Sequence, residues 1–234
     1  MSNGAVDLVK WIEIGRQLKV DNPLIYELMT GDIDAVELDA LLHEIEDLET
    51  RANPGGFTKK AWKGERIRLK GVAFEALGGL VLQSVKPFEN YANVLTTTNE
   101  IDWLVTMGPL ALYSPVLKDW GTHCLCECKV GAETVNVTWI GKLNTALTTN
   151  GARVGILLSK KGFGARSSNV RSQLQLLAAT PPHRIIICID LAEMRAALAN
   201  RTFVQLIGRR YIEVQLGAKP LQAIVQTPPA APPP

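Results

Sequence analysis

The chain of 234 residues can hold one well-packed domain with a small extension, and its 47% hydrophobic and 21% charged content excludes wholesale disorder and fibrous repeats. Charge is unevenly divided: residues 1–50 carry 3 Lys/Arg against 12 Asp/Glu, a net of −9, and residues 51–234 carry 22 against 11, a net of +11. A basic body under an acidic head suits a nucleic-acid protein with a regulatory or self-associating extension, although solubility alone would also account for it.

The first residues, MSNGAVDLVKWIEIGRQ, meet charge early and lack an apolar core of signal-peptide length. No run approaches the roughly 18 apolar residues of a membrane span. A cytoplasmic protein without a membrane segment is the expectation. Cys124, Cys126 and Cys128 alternate along one short segment, where neighbours two apart on a strand cannot bond without distortion, so reduced thiols are expected.

In chain order, residues 1–50 read as an acidic helical appendage. Leu8, Trp11, Ile12 and Leu18 recur at helical spacing, NPLIYELM follows a Pro start, and Asp34 with Glu37 resembles a capping box ahead of Leu38, Leu41, Leu42, Ile45 and Leu48. That last stripe is amphipathic and must pack on the body or on a second copy; it is the favoured seam for a homodimer or higher homo-oligomer. Residues 51–69 read as a basic linker: RANPGGFTKK breaks the helix, and Lys59, Lys60, Lys63, Arg66, Arg68 and Lys70 follow closely, either solvated or in contact with phosphate.

The body then alternates. GVAFEALGGLVLQSV reads as a helix, EIDWLVTM and HCLCECKV as strands, ETVNVTWIGKLNTALTTNG as a helix ending at Asn150-Gly151, and RVGILLS as a short buried strand. SSNVRSQLQLLAAT reads as a helix, RIIICID as a strand and LAEMRAALANR as a helix. This order predicts an α/β sandwich whose mixed sheet is covered on both faces. Residues 221–234 form a Pro-rich tail with no apolar mass for a core, and disorder is expected there.

The most informative segment is HCLCECKV. On a strand, Cys124, Cys126 and Cys128 share one face while Leu125, Glu127 and Lys129 share the other. Thiols suit burial under a helix; an acid and an ammonium about 7 Å apart suit a cleft. A solvent-facing Glu and Lys would be the ordinary explanation of the triplet alone. The preceding strand, however, also places one acid, Asp102, among apolar neighbours, and charges in that setting are usually paired or ligating. Two carboxylates from adjacent strands with one lysine meet the needs of a hard divalent cation and an attack on phosphate.

Asp102 followed by Glu127-Cys128-Lys129 resembles the D…(D/E)-x-K signature of the restriction-endonuclease-like nucleases. GVAFEALGGLVL is similar to the G-x-x-F-E helix of their Mrr-type branch, and GILLSKKGFGARS to that branch's strand and Gly-Phe loop; the likeness spans roughly residues 70–200 of the chain. It implies an αβββαβ core within a nuclease domain at residues 70–220, with Asp102 and Glu127 binding Mg²⁺, for which Mn²⁺ could substitute, and Lys129 stabilising the attacking water. Glu75 matches the supporting helix acid and reads equally as a surface acid. Ile101 stands where the pattern often has Pro, and no clear Gln follows the signature.

The implied activity is hydrolysis of DNA phosphodiester bonds, as in a restriction or phage-defence effector, with a regulatory protein or small-molecule activator acting through the acidic head. The alternative from another class is a nuclease fold that binds nucleic acid without cutting it. Lys160, Lys161, Arg166 and Arg171, around the Gly-rich turn of LSKKGFGARSSNVR, are candidates for the DNA backbone. Zinc is disfavoured, because Cys-x-Cys-x-Cys inside a strand lacks the turn that brings two thiolates onto one metal. The Gly-Lys of TWIGKLNT lacks the upstream glycine of a P-loop.

Overall fold

The structure, a computed structural model, describes residues 23–96, 100–131, 134–163 and 168–217. The helix expected around Leu8 to Leu18 and the Pro-rich tail lie outside these residues. Two helices come first, α1 (Pro23–Met29) and α2 (Ala35–Thr50). Asp34 caps α2, its carboxylate accepting from the backbone N–H groups of Val36 and Glu37. A 25-residue helix, α3 (Lys59–Gln83), is capped by Thr58.

Five strands follow, interleaved with helices: β1 (Phe88–Leu95), β2 (Glu100–Met107), β3 (His123–Lys129), α4 (Val137–Thr149), β4 (Val154–Ser159), α5 (Ser168–Ala179), β5 (Ile185–Asp190), α6 (Leu191–Ala199) and α7 (Phe203–Leu216). The strands lie in one sheet in sequence order. β1, β2 and β3 form an antiparallel meander, and β3, β4 and β5 run parallel, so the protein is α/β with a mixed sheet. The run α3–β1–β2–β3–α4–β4 has the order αβββαβ.

Helices cover both faces. On one, Phe74, Leu77 and Val81 of α3, Met194 of α6 and Phe203, Ile207 and Tyr211 of α7 pack with Cys124, Cys126 and Cys128. On the other, Ile140, Leu143 and Leu147 of α4 and Val170 and Leu174 of α5 pack with Leu125, Leu157 and Ile186. β3 therefore alternates as its sequence implies. Its three cysteines are buried free thiols under α3.

α3 settles closely on the sheet because two positions lack side chains. A Cβ on Gly78 would stand 2.7 Å from Cys128 Sγ, and one on Gly79 only 2.4 Å from Trp103 Cζ2. The Trp103 indole N–H donates to the Glu75 carbonyl oxygen at 3.1 Å, completing the helix-to-strand contact.

Three expectations change. Residues 51–69 are not a linker throughout: from Lys59 onward they are helix, and the lysines and arginines solvate the first turns of α3, none of whose residues before Ala73 is buried. The acidic segment is not a separable appendage over its described part, since Leu42 and Ile45 belong to the main core and Leu48 is fully buried. The stripe expected to form a dimer seam is thus consumed within the protomer, Leu38 and Leu41 packing against the same core. An amphipathic helix buries its face on whichever apolar surface is nearest, and here that surface is α3 of its own chain. No helix among the described residues is long and apolar enough to cross a membrane.

Candidate active site

The site forms where the ladder between β2 and its neighbours gives way. Pairing with β1 passes from Ala92↔Trp103 to Val94↔Ile101, skipping Asn93 and Asp102, and Asn93 adopts φ 50°. On the other side, the β2–β3 register runs from Thr106↔His123 to Trp103↔Cys126 and stops there. Past that point the Asp102 carboxylate, not a backbone carbonyl, accepts the N–H of Cys128, at 2.7 Å. Asp102 is thereby anchored at the end of β3 that carries Glu127 and Lys129.

Lys129 joins the two acids. Its Nζ lies 2.7 Å from Glu127 Oε2 and 3.8 Å from Asp102 Oδ2, and each carboxylate side chain is only 16% exposed. Burial and then the neighbouring charge of Asp102 push the Glu127 carboxyl above the ordinary value, with Lys129 and Lys142 pulling the other way. For Lys129 burial opposes the charged form, but Glu127 and Asp102 outweigh it, and the amine is held above its usual range as an ammonium. Glu75, on α3, is raised by burial and then by Asp102. Its carboxyl therefore senses the same negative centre from a second element.

A cleft of about 380 Å³ opens beside this group, lined by Glu100, Glu127, Lys129, Trp139, Lys142 and Thr145 among others. Trp139, Lys142 and Thr145 recur every three residues on α4, one wall of the cleft. Sequence reasoning missed Glu100, Trp139 and Lys142. The helical spacing of the last two was visible in TWIGKLNT, but which face of α4 meets Glu127 depends on the crossover from β3 to β4.

The basic residues assigned to phosphate separate. Lys160 donates its backbone N–H to the Lys129 carbonyl at 3.0 Å, yet its side chain pairs with Glu49 of α2. Glu49 also holds Lys70 at 3.0 Å, and its carboxyl is drawn below the usual range by Lys160, against burial. Arg171 lies over the Phe163 ring, 5.8 Å from its centroid, and lines a different cavity between α5 and α7. Lys161 is exposed, and Arg166 lies outside the described residues. Among the described residues of the loop, Lys160 and Arg171 therefore do not share one basic face beside Glu127; alternation at the end of β4 sends Lys160 toward α2.

Asp102 and Glu127 provide the hard oxygen donors that a magnesium ion accepts. Among the described residues no three His, Cys, Asp or Glu side chains converge as a metal-binding group. Magnesium nevertheless fits such a pair, because it is held by one or two carboxylates and fills its other positions with water and phosphate oxygens. Searches of protein-family models, curated proteins and solved structures found no match to this chain.

Proposed function

We propose that this protein is a metal-dependent endonuclease of the restriction-endonuclease-like, Mrr-type kind, hydrolysing phosphodiester bonds in DNA. The observation that carries the reading is the ammonium of Lys129 held 2.7 Å from Glu127 and 3.8 Å from Asp102, at the end of β3 where its pairing with β2 has stopped. The αβββαβ order around that group and the net +11 of residues 51–234 support it.

Asp102 and Glu127 are the residues that would hold Mg²⁺, or Mn²⁺ in its place. Such an ion, when bound, supplies Lewis-acid polarisation of the phosphate and a water of lowered pKa. Lys129 is an ammonium near neutral pH, so it donates hydrogen bonds to negative charge developing on the phosphate oxygens and does not serve as the base. Burial of the two acids keeps competing water from screening that charge.

The test is incubation of supercoiled plasmid with purified protein in Mg²⁺, in Mn²⁺ and in EDTA, with and without cell extract to supply an activating partner or small signal. Nicked plasmid in either metal, and none in EDTA or with Glu127→Gln, is the expected result. Plasmid left intact in every metal condition overturns the reading in favour of a nuclease fold that binds without cutting.

A further inference from the structure

The cleft beside Glu127 has a wall that the hydrolytic group leaves unused. Trp139 and Lys142 stand on α4, three residues apart and therefore on one helical face, and both line the same cavity as Glu127 and Lys129. Trp139 is half-buried and packs against the core cluster under α4 that contains Ile140 and Leu143, which restricts the indole. Asn136 fixes the start of the helix as well, its side chain accepting the Trp139 backbone N–H at 3.1 Å. Lys142 is exposed and makes no ion pair within 4.0 Å among the described residues, although its charge reaches Glu127. This contrasts with Lys70, Lys129 and Lys160, each of which is tied to an acid.

An indole in the wall, and one turn along it an ammonium with no ion pair among the described residues, match the two chemical parts of a nucleotide. The aromatic face accepts a base whatever its identity, and the ammonium accepts a phosphate. A base paired within duplex DNA is stacked on its neighbours and cannot present its face to a side chain, whereas an unpaired base can. The cavity, of about 380 Å³, falls in the size range of small-molecule sites and has room for one nucleotide.

We propose that Trp139 and Lys142 form a subsite for one unpaired nucleotide next to the cleaved phosphate, Trp139 stacking on its base and Lys142 binding its phosphate. This subsite rests on the nuclease reading for its place beside a cleaved bond, and it makes single-stranded or locally opened DNA the preferred substrate.

Binding of a fluorescein-labelled single-stranded oligonucleotide, and of the same sequence as a duplex, is measured by anisotropy in EDTA across a range of salt. Neither strand is cut under these conditions. The intact protein is expected to bind the single strand more tightly than the duplex. Trp139→Ala should weaken single-strand binding roughly tenfold, and Trp139→Phe, which keeps a ring, should restore most of it. Lys142→Gln should lower the slope of log affinity against log salt by about one. Intrinsic fluorescence should be quenched by the single strand in the intact protein and less so in Trp139→Phe.

Equal affinity of Trp139→Ala and the intact protein, or an unchanged salt slope in Lys142→Gln, overturns the subsite even if the protein cuts plasmid. Trp139- and Lys142-dependent binding by a protein that cuts nothing in metal sustains the subsite and removes the nuclease reading instead. A protein that binds neither strand overturns the subsite outright. Far-UV circular dichroism of each variant identifies one that has failed to fold, and the salt slope of Lys142→Gln, a change at an exposed position, then decides the outcome.

Discussion

Asp102 accepts the backbone N–H of Cys128 at 2.7 Å, so an acid of β2 takes over a ladder bond of β3 where main-chain pairing between these two strands has ceased. The same oxygen, Oδ2, lies 3.8 Å from Lys129 Nζ, so this carboxylate divides its role between holding the strand and facing the ammonium. Asp102→Asn retains an oxygen acceptor and should keep most of the stability while cleavage falls at least about 100-fold. Asp102→Ala strands the buried N–H and should cost about 1–3 kcal/mol more than the Asn variant. Urea unfolding of the two variants beside plasmid cleavage checks the division; equal stabilities would mean that Cys128 finds another partner.

Glu127 makes a prediction about pH. Its carboxyl is raised in the folded protein by burial and by Asp102, so below the unfolded value the group is protonated in both states and carries no penalty. As pH rises through the folded value, the unfolded chain has already ionised and the folded one is forced to, and stability is lost. Glu127→Gln should therefore match the wild type near pH 4 and exceed it at pH 7, with no cleavage. Thermal melts of both proteins from pH 4 to pH 8 measure this; curves that stay parallel would contradict it. Adding Mg²⁺ at pH 7 should stabilise the wild type alone.

Leu48 is fully buried within one protomer, and its truncation should act there. Leu48→Ala is expected to cost about 2–5 kcal/mol, with a melting temperature independent of protein concentration. A melting temperature that rises with concentration in the wild type and not in the variant would return α2 to a role between copies.

Glu49 clamps Lys70 and Lys160 from the acidic helix. Glu49→Gln should release both ammonium groups, tightening non-specific DNA binding and steepening its salt dependence by up to about two ions. A salt titration of duplex affinity provides the measurement, and an unchanged slope would show that the two lysines stay away from DNA even when freed. The same clamp has a pH signature. Its carboxyl is lowered, so its contribution is present above the unfolded value and disappears as pH falls through the folded one.

Much of this was legible from residue spacing. β2 and β3 are written in period two, and the opposite faces of Cys126 and Glu127 follow from that period alone. β1 escaped notice because Phe88–Leu95 is largely exposed, with Glu, Asn and Ala where an alternating strand would carry apolar residues. α7 was not assigned although Phe203, Ile207 and Tyr211 share a face, since Gly208, Arg209 and Arg210 interrupt the apolar run between the last two of them. The first turns of α3 carry lysines and no buried residue, which is also how a solvated linker reads. For the site, Glu127 and Lys129 could be paired on one strand face. The association of Lys160 with Glu49 joins residues far apart in sequence, and no local pattern encodes it.

The bare backbone at Gly78 and Gly79 has a consequence for how this chain can diverge. Trp103 fills the space that those glycines leave, and it is the residue next to Asp102. A methyl group at position 79 would have to displace the indole, whose N–H is bonded to the Glu75 carbonyl, and would disturb the helix-to-strand contact beside Asp102. Position 79 and position 103 are therefore free to vary only together, a larger residue on the helix demanding a smaller one on the strand. In descendants of this sequence the two should drift as a matched pair, and a lineage that broke the match could keep every acid in place and still lose the alignment between them.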